Sequence, residues 1–485
     1  MKRLILLLLL AVYTASNINA QFAGPFRNTF YDPDTLKQPF KATWMSLTPD
    51  FTVFFINRYL KKSDFAYING HSVTMNFMFT SLWDNDMFGT NLLAHPFHGS
   101  MDYSGARVSG MNHWECMPYV FGASFLWEMV LENEPASFND QIATTFGGSI
   151  LGEVSYRVSS SIVDNNAHGF NRIVREIFGA LTCPMNGVNR LITGEMWKKR
   201  PYRRPNPDEI YPINFGIGGM SRYTVDLVHD GKTRWSPGIH GWFHYGDPFR
   251  KENHRAFDFF RIDFYLDPAT SSNFLSEISA TGSLWTKDIP TKKEGREMIW
   301  GAFQHFRYMD NDPLKGDTLP PFRYSEPASF GLGFLMKQKF KNQNEFNLET
   351  YANAVILAGA QASYFFLKGR DYNFGQGYSL KMRSNYSFLK RLRVGLDLDF
   401  MQFFTWKGYK KGINVSEQDF RTLNAMGDKG NTVIGIIKPY LDIDFSKNFS
   451  FQVKTNLFFQ KNHNCQFENT SEGFCETNLG IIYRY

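Results

Sequence analysis

From Tyr211 to the last residue, Tyr485, apolar and polar residues alternate with a period of two. At the end of the chain Thr477, Leu479, Ile481, Tyr483 and Tyr485 fall on one side of an extended strand. Glu476, Asn478, Gly480 and Arg484 fall on the other, with Ile482 as the exception. Successive side chains of a strand point to opposite faces, so this pattern gives one greasy and one polar face. It recurs upstream. Phe330, Leu332, Phe334 and Met336 oppose Gly331, Gly333, Lys337 and Lys339, and Leu392, Val394, Leu396 and Leu398 oppose Arg391, Arg393, Asp397 and Asp399. The segments run to roughly 10–15 residues, against ~5–6 for an ordinary soluble strand and ~9–11 for one that crosses a bilayer. Residues 390–391 and 446–448 are tight turns, whereas 406–430 and 461–473 are long polar loops. Short turns at one end and long loops at the other are the outer-membrane arrangement.

The spacing predicts about twelve strands closed into a barrel, because an open edge in lipid would leave backbone groups unpaired. Phe334, Leu396, Ile443 and Tyr483 are expected to face lipid, and Lys381 and Asp397 the lumen. The pattern breaks at 267–273 and 286–295. A soluble sandwich or lipocalin-like barrel also alternates, but strand length and loop asymmetry argue against it.

The preceding third of the chain reads as helical. A helix is expected after Thr48-Pro49-Asp50, a second from Ser72 towards Trp83, and a third over Pro118–Asn133. Ser137 to Asp140 has capping-box spacing before a helix that carries Ala143, Gly147, Gly148 and Gly152, and a further helix covers Gly169–Leu181. Gly148 and Gly152 let another backbone approach closely; Glu153 and Arg157 on the same segment favour packing outside lipid. Arg107, Asp140, Glu153, Arg157, Arg172, Arg175 and Glu176 offer nearly balanced charge for a buried polar network. The fold class is therefore α+β, a helical amino-terminal domain followed by a closed antiparallel transmembrane β-barrel. The divisions are a signal peptide at 1–20, a segment with one or two helices at 21–74, a helical domain at 75–195, a basic Pro-rich linker at 196–210 and the barrel at 211–485.

Composition sharpens this. Aromatic residues make up 17% of the chain, with 48 Phe, and aromatic girdles account for such an excess. A net charge of +6 implies no steering towards nucleic acid. Lys2 and Arg3, the apolar run Leu4–Val12 and the small-residue exit at Ala20 form an export signal. Cys465 and Cys475 flank a polar loop and are candidates for a disulfide in an oxidising exterior.

Candidate chemistry gathers in the helical part. His95 and His98, with Glu128 and Glu132 four apart on a nearby segment, could hold a divalent metal, although the spacing matches no helix metal signature. One His could instead activate Ser100, oriented by Glu128, but no nucleophile elbow is present. The charge balance favours packing over catalysis here, so no cofactor is expected and an enzyme is the less favoured reading.

The run Asn91–Ser100 with Tyr103, Ala106 and Arg107 continues through Trp127-Glu128, Glu132, Ser137, Asp140, Gly147-Gly148 and Gly152-Glu153. It is completed by Gly169, Arg172, Arg175-Glu176, Pro184, Gly187, Asn189-Arg190 and Gly194. This set resembles the bacterial domain-of-unknown-function family 3943 over roughly residues 75–195. The resemblance implies an envelope protein of diderm bacteria and no particular activity. Three functions follow: a channel, transporter or envelope organiser with a helical domain in the lumen or periplasm; an enzyme acting on lipid or lipopolysaccharide; or a module that captures a ligand with its outer loops. Outer-membrane lipid, an unknown small solute or an envelope protein are the expected partners.

Overall fold

The computed structural model describes residues 37–485 apart from 79–81, 85, 200–210, 229–230, 251–254, 269–273, 312–321, 363, 365–371, 410–411, 413 and 415–426. The signal peptide, residues 21–36 and most of the basic linker lie outside the described residues.

Twelve antiparallel strands close on themselves, β1 pairing with β12 through a register that sets Gly216 opposite Arg484 and Asp226 opposite Phe474. They are β1 (Ile213–Asp226), β2 (Thr233–Tyr245), β3 (Phe260–Leu266), β4 (Leu275–Asp288), β5 (Arg296–Asp310) and β6 (Arg323–Lys339). The second half is β7 (Glu345–Gln361), β8 (Tyr372–Phe388), β9 (Leu392–Thr405), β10 (Gly430–Asp444), β11 (Phe449–Asn464) and β12 (Thr470–Arg484). The breaks in alternation fall largely in connections, between β3 and β4 and between β4 and β5. Most turns are short at the end where β1 begins and β12 finishes, here called the terminal end; the longest connection, 406–429, lies at the loop end.

Ion pairs across the barrel identify the inner face. Lys438 on β10 reaches Glu277 on β4 at 2.7 Å, and Arg307 on β5 reaches Asp399 on β9 at 2.7 Å. Arg261 on β3 meets Glu349 on β7 at 2.5 Å, and Lys381 meets Glu326 at 2.7 Å. On the opposite face Leu396, Ile443 and Tyr483 alternate with these charges, and Leu479, Ile481 and Phe451 are exposed as a lipid-facing wall requires. Ile482, the exception in the last strand, is an inward residue buried against Gly218.

The lumen is filled. Towards the loop end Met309, Phe322, Tyr324, Val355, Ala358, Ala360, Met401, Phe403, Ile434, Ile436, Phe458 and Phe474 pack into one apolar stopper. The charged mesh lies beneath it, and the terminal end opens as a cavity of about 510 Å³ lined by groups such as His240, Arg261, Asp263 and Lys454.

The helices are α1 (Pro39–Phe55), α2 (Gly70–Met78), α3 (His95–Arg107), α4 (His113–Leu126), α5 (Phe138–Ile142), α6 (Gly148–Ile162), α7 (Gly169–Thr182) and α8 (Pro184–Ile192). Wider helical turns extend α1 to Lys61, start α3 at Thr90, extend α4 to Leu131 and join α5 to α6. The first helix thus begins nine residues before the Thr48 cap inferred from sequence, and Pro49 sits inside it. A proline cannot donate to the carbonyl one turn back, and the freed Met45 carbonyl lies against Gly105 of α3. Pro118 is likewise interior, because Asn112 and Glu115 form a capping box that starts α4 at His113. Pro184 opens α8 directly after Cys183, which closes α7.

The helical segments that meet the barrel, Phe88 to Leu92 and the rod Phe138–Ile162 above all, do so from outside the lumen. They pack on the outside of the barrel. Phe88 meets Tyr308 and Tyr372, Leu92 meets Gly359, and Phe146 meets Phe330; with the bulges in β6 and β7 counted, each of those strand residues lies on the face opposite to the lumen charges. The rod of α5 and α6 travels the height of the wall. It begins with Phe138 beside Trp83, which stacks on Trp406 at the loop end, and it reaches Arg157, whose guanidinium donates to Ala256 O at the terminal end. Gln304 shows the fit. It is a fully buried polar residue on the outer wall, and its amide donates to Phe146 O at 2.9 Å and Ser149 Oγ at 3.0 Å. Gln304→Leu, which would suit a bare lipid-facing wall, is expected to cost about 1 kcal/mol here. Denaturant unfolding in detergent micelles checks this, and a stabilised variant would contradict the docking.

Cys465 and Cys475 are free thiols, which corrects the disulfide expectation. Cys475 sits opposite Leu457 in the β11–β12 ladder, while Cys465 lies just past the end of β11, roughly 26 Å of strand away. A disulfide needs Cα atoms within about 7 Å.

Candidate functional site

The helical domain is turned inside out relative to a soluble bundle. Phe170, Ile173, Ile177, Phe178 and Leu181 form an exposed stripe on α7, and Phe40, Trp44, Phe51 and Phe55 form another on α1. Trp114, Phe121 and Phe125 do the same on α4. The charges are inside, in three tiers.

Near the terminal end, Glu153 accepts from Arg157 Nε at 2.7 Å, Arg107 Nε at 2.9 Å and Tyr103 Oη at 2.7 Å. Tyr103 Oη also lies 2.9 Å from His113 Nδ1, and Arg157 reaches Asp258 of the β2–β3 connection at 3.5 Å. A second, lateral network joins Glu176 to Arg172 and Arg190, each at 2.7 Å. Arg175 instead donates to Asn171 and Ile162 O. Of the seven residues grouped from sequence, five fall in these two networks, Arg175 is held by Asn171 and Ile162 O, and Asp140 lies with His95.

In the middle tier α1 and α3 face each other. His98 and Asp102, one turn apart on α3, meet Asp50 of α1, with ligand atoms of all three within 4.8 Å of one another. His98 Nε2 is 2.9 Å from Asp50 Oδ1, off the line of a hydrogen bond. The Trp127 ring closes the side, edge-on to His98 at 5.3 Å.

Near the loop end, His95 Nε2 lies 3.5 Å from Asp140 Oδ1, and His95 Nδ1 lies 3.5 Å from Thr144 Oγ1. Glu128 Oε2 accepts from Ser137 N at 2.7 Å, and Glu132 Oε2 from Trp127 Nε1 at 3.0 Å. Asp84 N donates to Asn139 Oδ1 at 2.8 Å, and Asn139 in turn donates to Asp140 at 2.8 Å. Among the described residues no lysine or arginine forms an ion pair with Asp84, Glu128, Glu132 or Asp140. Carboxylates gathered without a counter-ion, in a site shielded from water, require protons or a bound cation.

The four residues proposed as one cluster therefore divide. His95 goes with Asp140, beside Glu128 and Glu132, and His98 goes with Asp50 and Asp102. Ser100 Oγ donates to Phe97 O at 2.6 Å, so its hydroxyl serves the helix backbone rather than a histidine base. Asp50 and Asp102 were missed. The i, i+4 spacing of His98 and Asp102 was readable on one helix face, but Asp50 lay hidden behind a proline taken for a helix start.

The model of the family described as "Domain of unknown function (DUF3943)" matches residues 80–185, the stretch that carries most of these groups. No curated protein matches the chain. The barrel is similar to several solved outer-membrane proteins. An outer-membrane channel from Pseudomonas putida F1 is 10% identical, with a TM-score of 0.28 over 59% of this chain and 100% of its own. OmpT of Vibrio cholerae is 6% identical, with a TM-score of 0.25 over 58% and 99%. The KdgM porin in complex with disordered oligogalacturonate is 9% identical, with a TM-score of 0.24 over 55% and 98%.

Proposed function

We propose that this outer-membrane β-barrel protein is exported by its signal peptide, and that the barrel anchors a helical domain that lies within the bilayer and acts on a lipid or lipopolysaccharide. The carrying observation is the placement of the rod Phe138–Ile162 on the outer wall at the depth of Ala280, Phe306 and Leu357, with apolar stripes outward and, inward, carboxylates that no lysine or arginine pairs among the described residues. Among the described residues no helix is by itself long and apolar enough to cross a membrane. The joined rods Pro39–Lys61, Thr90–Arg107, His113–Leu131 and Phe138–Ile162 are nonetheless roughly 27–38 Å long at ~1.5 Å per residue, against a hydrocarbon core of ~30 Å. The barrel supplies the missing apolar area by covering one side of them. Ionisable groups are costly in a membrane and mark function by default.

In this reading His95, held by Asp140, exchanges a proton with the lipid head group, and Glu128 and Glu132 complete the polar wall. The test is the lipid profile of envelopes that carry His95→Ala or Glu128→Gln, with barrel folding followed by heat-modifiable gel mobility. Altered head-group or acyl species are expected with normal mobility. Profiles matching the unmutated protein in both variants would eliminate the lipid chemistry.

A second reading, a gated pore, draws on the charged cavity at the terminal end beneath an apolar stopper, since hydrophobic constrictions gate by dewetting. Planar-bilayer recordings separate the two: the anchor reading expects no conductance steps, and steady open-channel current would favour the pore.

A further inference from the structure

We infer that Asp50, His98 and Asp102 form a binding site for one divalent first-row metal ion, of the zinc or manganese type, between α1 and α3. Asp50 and Asp102 are 1% and 0% exposed, yet none of their four carboxylate oxygens has a hydrogen-bond partner. His98 Nε2 also lacks one, although Asp50 Oδ1 is only 2.9 Å away. The two atoms are close without being aimed at each other, as expected when both point at a third position. Ser46, one turn before Asp50 on the same face of α1, is 1% exposed, and its Oγ is unpartnered too.

A buried carboxylate without a partner is expensive, and two of them side by side repel. A divalent cation removes both costs at once. One imidazole nitrogen and two carboxylates suit zinc, manganese or ferrous iron, and ligand bonds of ~2.0–2.2 Å place donor atoms within the spread seen here. The ligand is also braced from behind: the Trp127 ring packs edge-on against the His98 imidazole, and Trp127 Nε1 donates to Glu132. The site goes beyond the lipid chemistry proposed above. It shares none of that chemistry's tested residues, and its test reads metal rather than lipid.

The full-length protein, purified in detergent, is stripped with chelator and dialysed against Zn²⁺ or Mn²⁺, and bound metal is measured by elemental analysis. One ion per chain is expected. Asp102→Asn and Asp50→Asn, nearly isosteric, should each weaken binding at least about tenfold, while His95→Ala keeps the full ion. The unmutated protein offers a check independent of folding, because bound Co²⁺ should show the visible bands of nitrogen–oxygen ligation. Metal below about 0.1 ion per chain, or Asp102→Asn and Asp50→Asn both retaining it at unmutated affinity, would overturn the site.

Discussion

Glu153→Ala is expected to unfold the helical domain while leaving the barrel closed. Glu153 is fully buried and accepts from Arg107, Arg157 and Tyr103. Its removal takes the nearest carboxylate from two buried guanidinium groups. Arg157 keeps Ala256 O and Asp258, and Arg107 keeps Met111 O and the face of Tyr156. Asp258 at 3.5 Å is a longer contact for Arg157 than Glu153 at 2.7 Å, and a carbonyl and a ring face do not replace the carboxylate that Arg107 loses. Breaking a buried ion pair from one side costs about 3–5 kcal/mol, most of it the penalty of an uncompensated charge. Glu153→Gln retains acceptor oxygen and shape and should lose roughly half as much. Trypsin cleavage at Arg157, rapid in Glu153→Ala and slow in the unmutated protein, reads the helical domain; heat-modifiable mobility reads the barrel. A protease-resistant Glu153→Ala would mean the triad contributes little.

Gly148→Val should have an effect of similar size through packing alone. A Cβ at Gly148 would lie 2.5 Å from the Gly99 backbone, and a Cβ at Gly99 would lie 2.1 Å from Thr144 O. These contacts are backbone against backbone, so no rotamer change relieves them, and α3 must separate from α6. Overpacking of a core typically costs ~1–3 kcal/mol, and the upper end or beyond is expected because the whole helix pair must move. Gly122 on α4 is the control, since a Cβ there meets nothing within 4 Å. Gly122→Ala should be neutral or stabilise by about 0.5–1 kcal/mol. Equal melting curves for Gly148→Val and Gly122→Ala would refute the close crossing.

The same glycines show how far sequence reading reaches. The spacing of Gly148 and Gly152 predicted close helix approach, and both glycines make it, against Gly99 and Tyr103. The charges at Glu153 and Arg157 led that reading away from lipid, because a helix with charge on it is usually solvated. Here the charges turn inward, to one another, and the exposed stripe of Phe170, Ile173, Ile177, Phe178 and Leu181 faces out. A helical period states that a helix has two faces; it does not state which solvent each face meets.

The barrel was determined by the sequence because period-two alternation is local: each strand carries its own inside and outside, and strand length and turn length say how the strands are joined. The lateral seat of the helices, the division of the His/Glu cluster into two sites and the recruitment of Asp50 were decided by tertiary structure. Each depends on residues far apart in the chain meeting face to face, as Gln304 meets Ser149 and Asp50 meets His98. An outward residue on a strand reads the same whether lipid or a helix covers it, and only the packed molecule distinguishes the two.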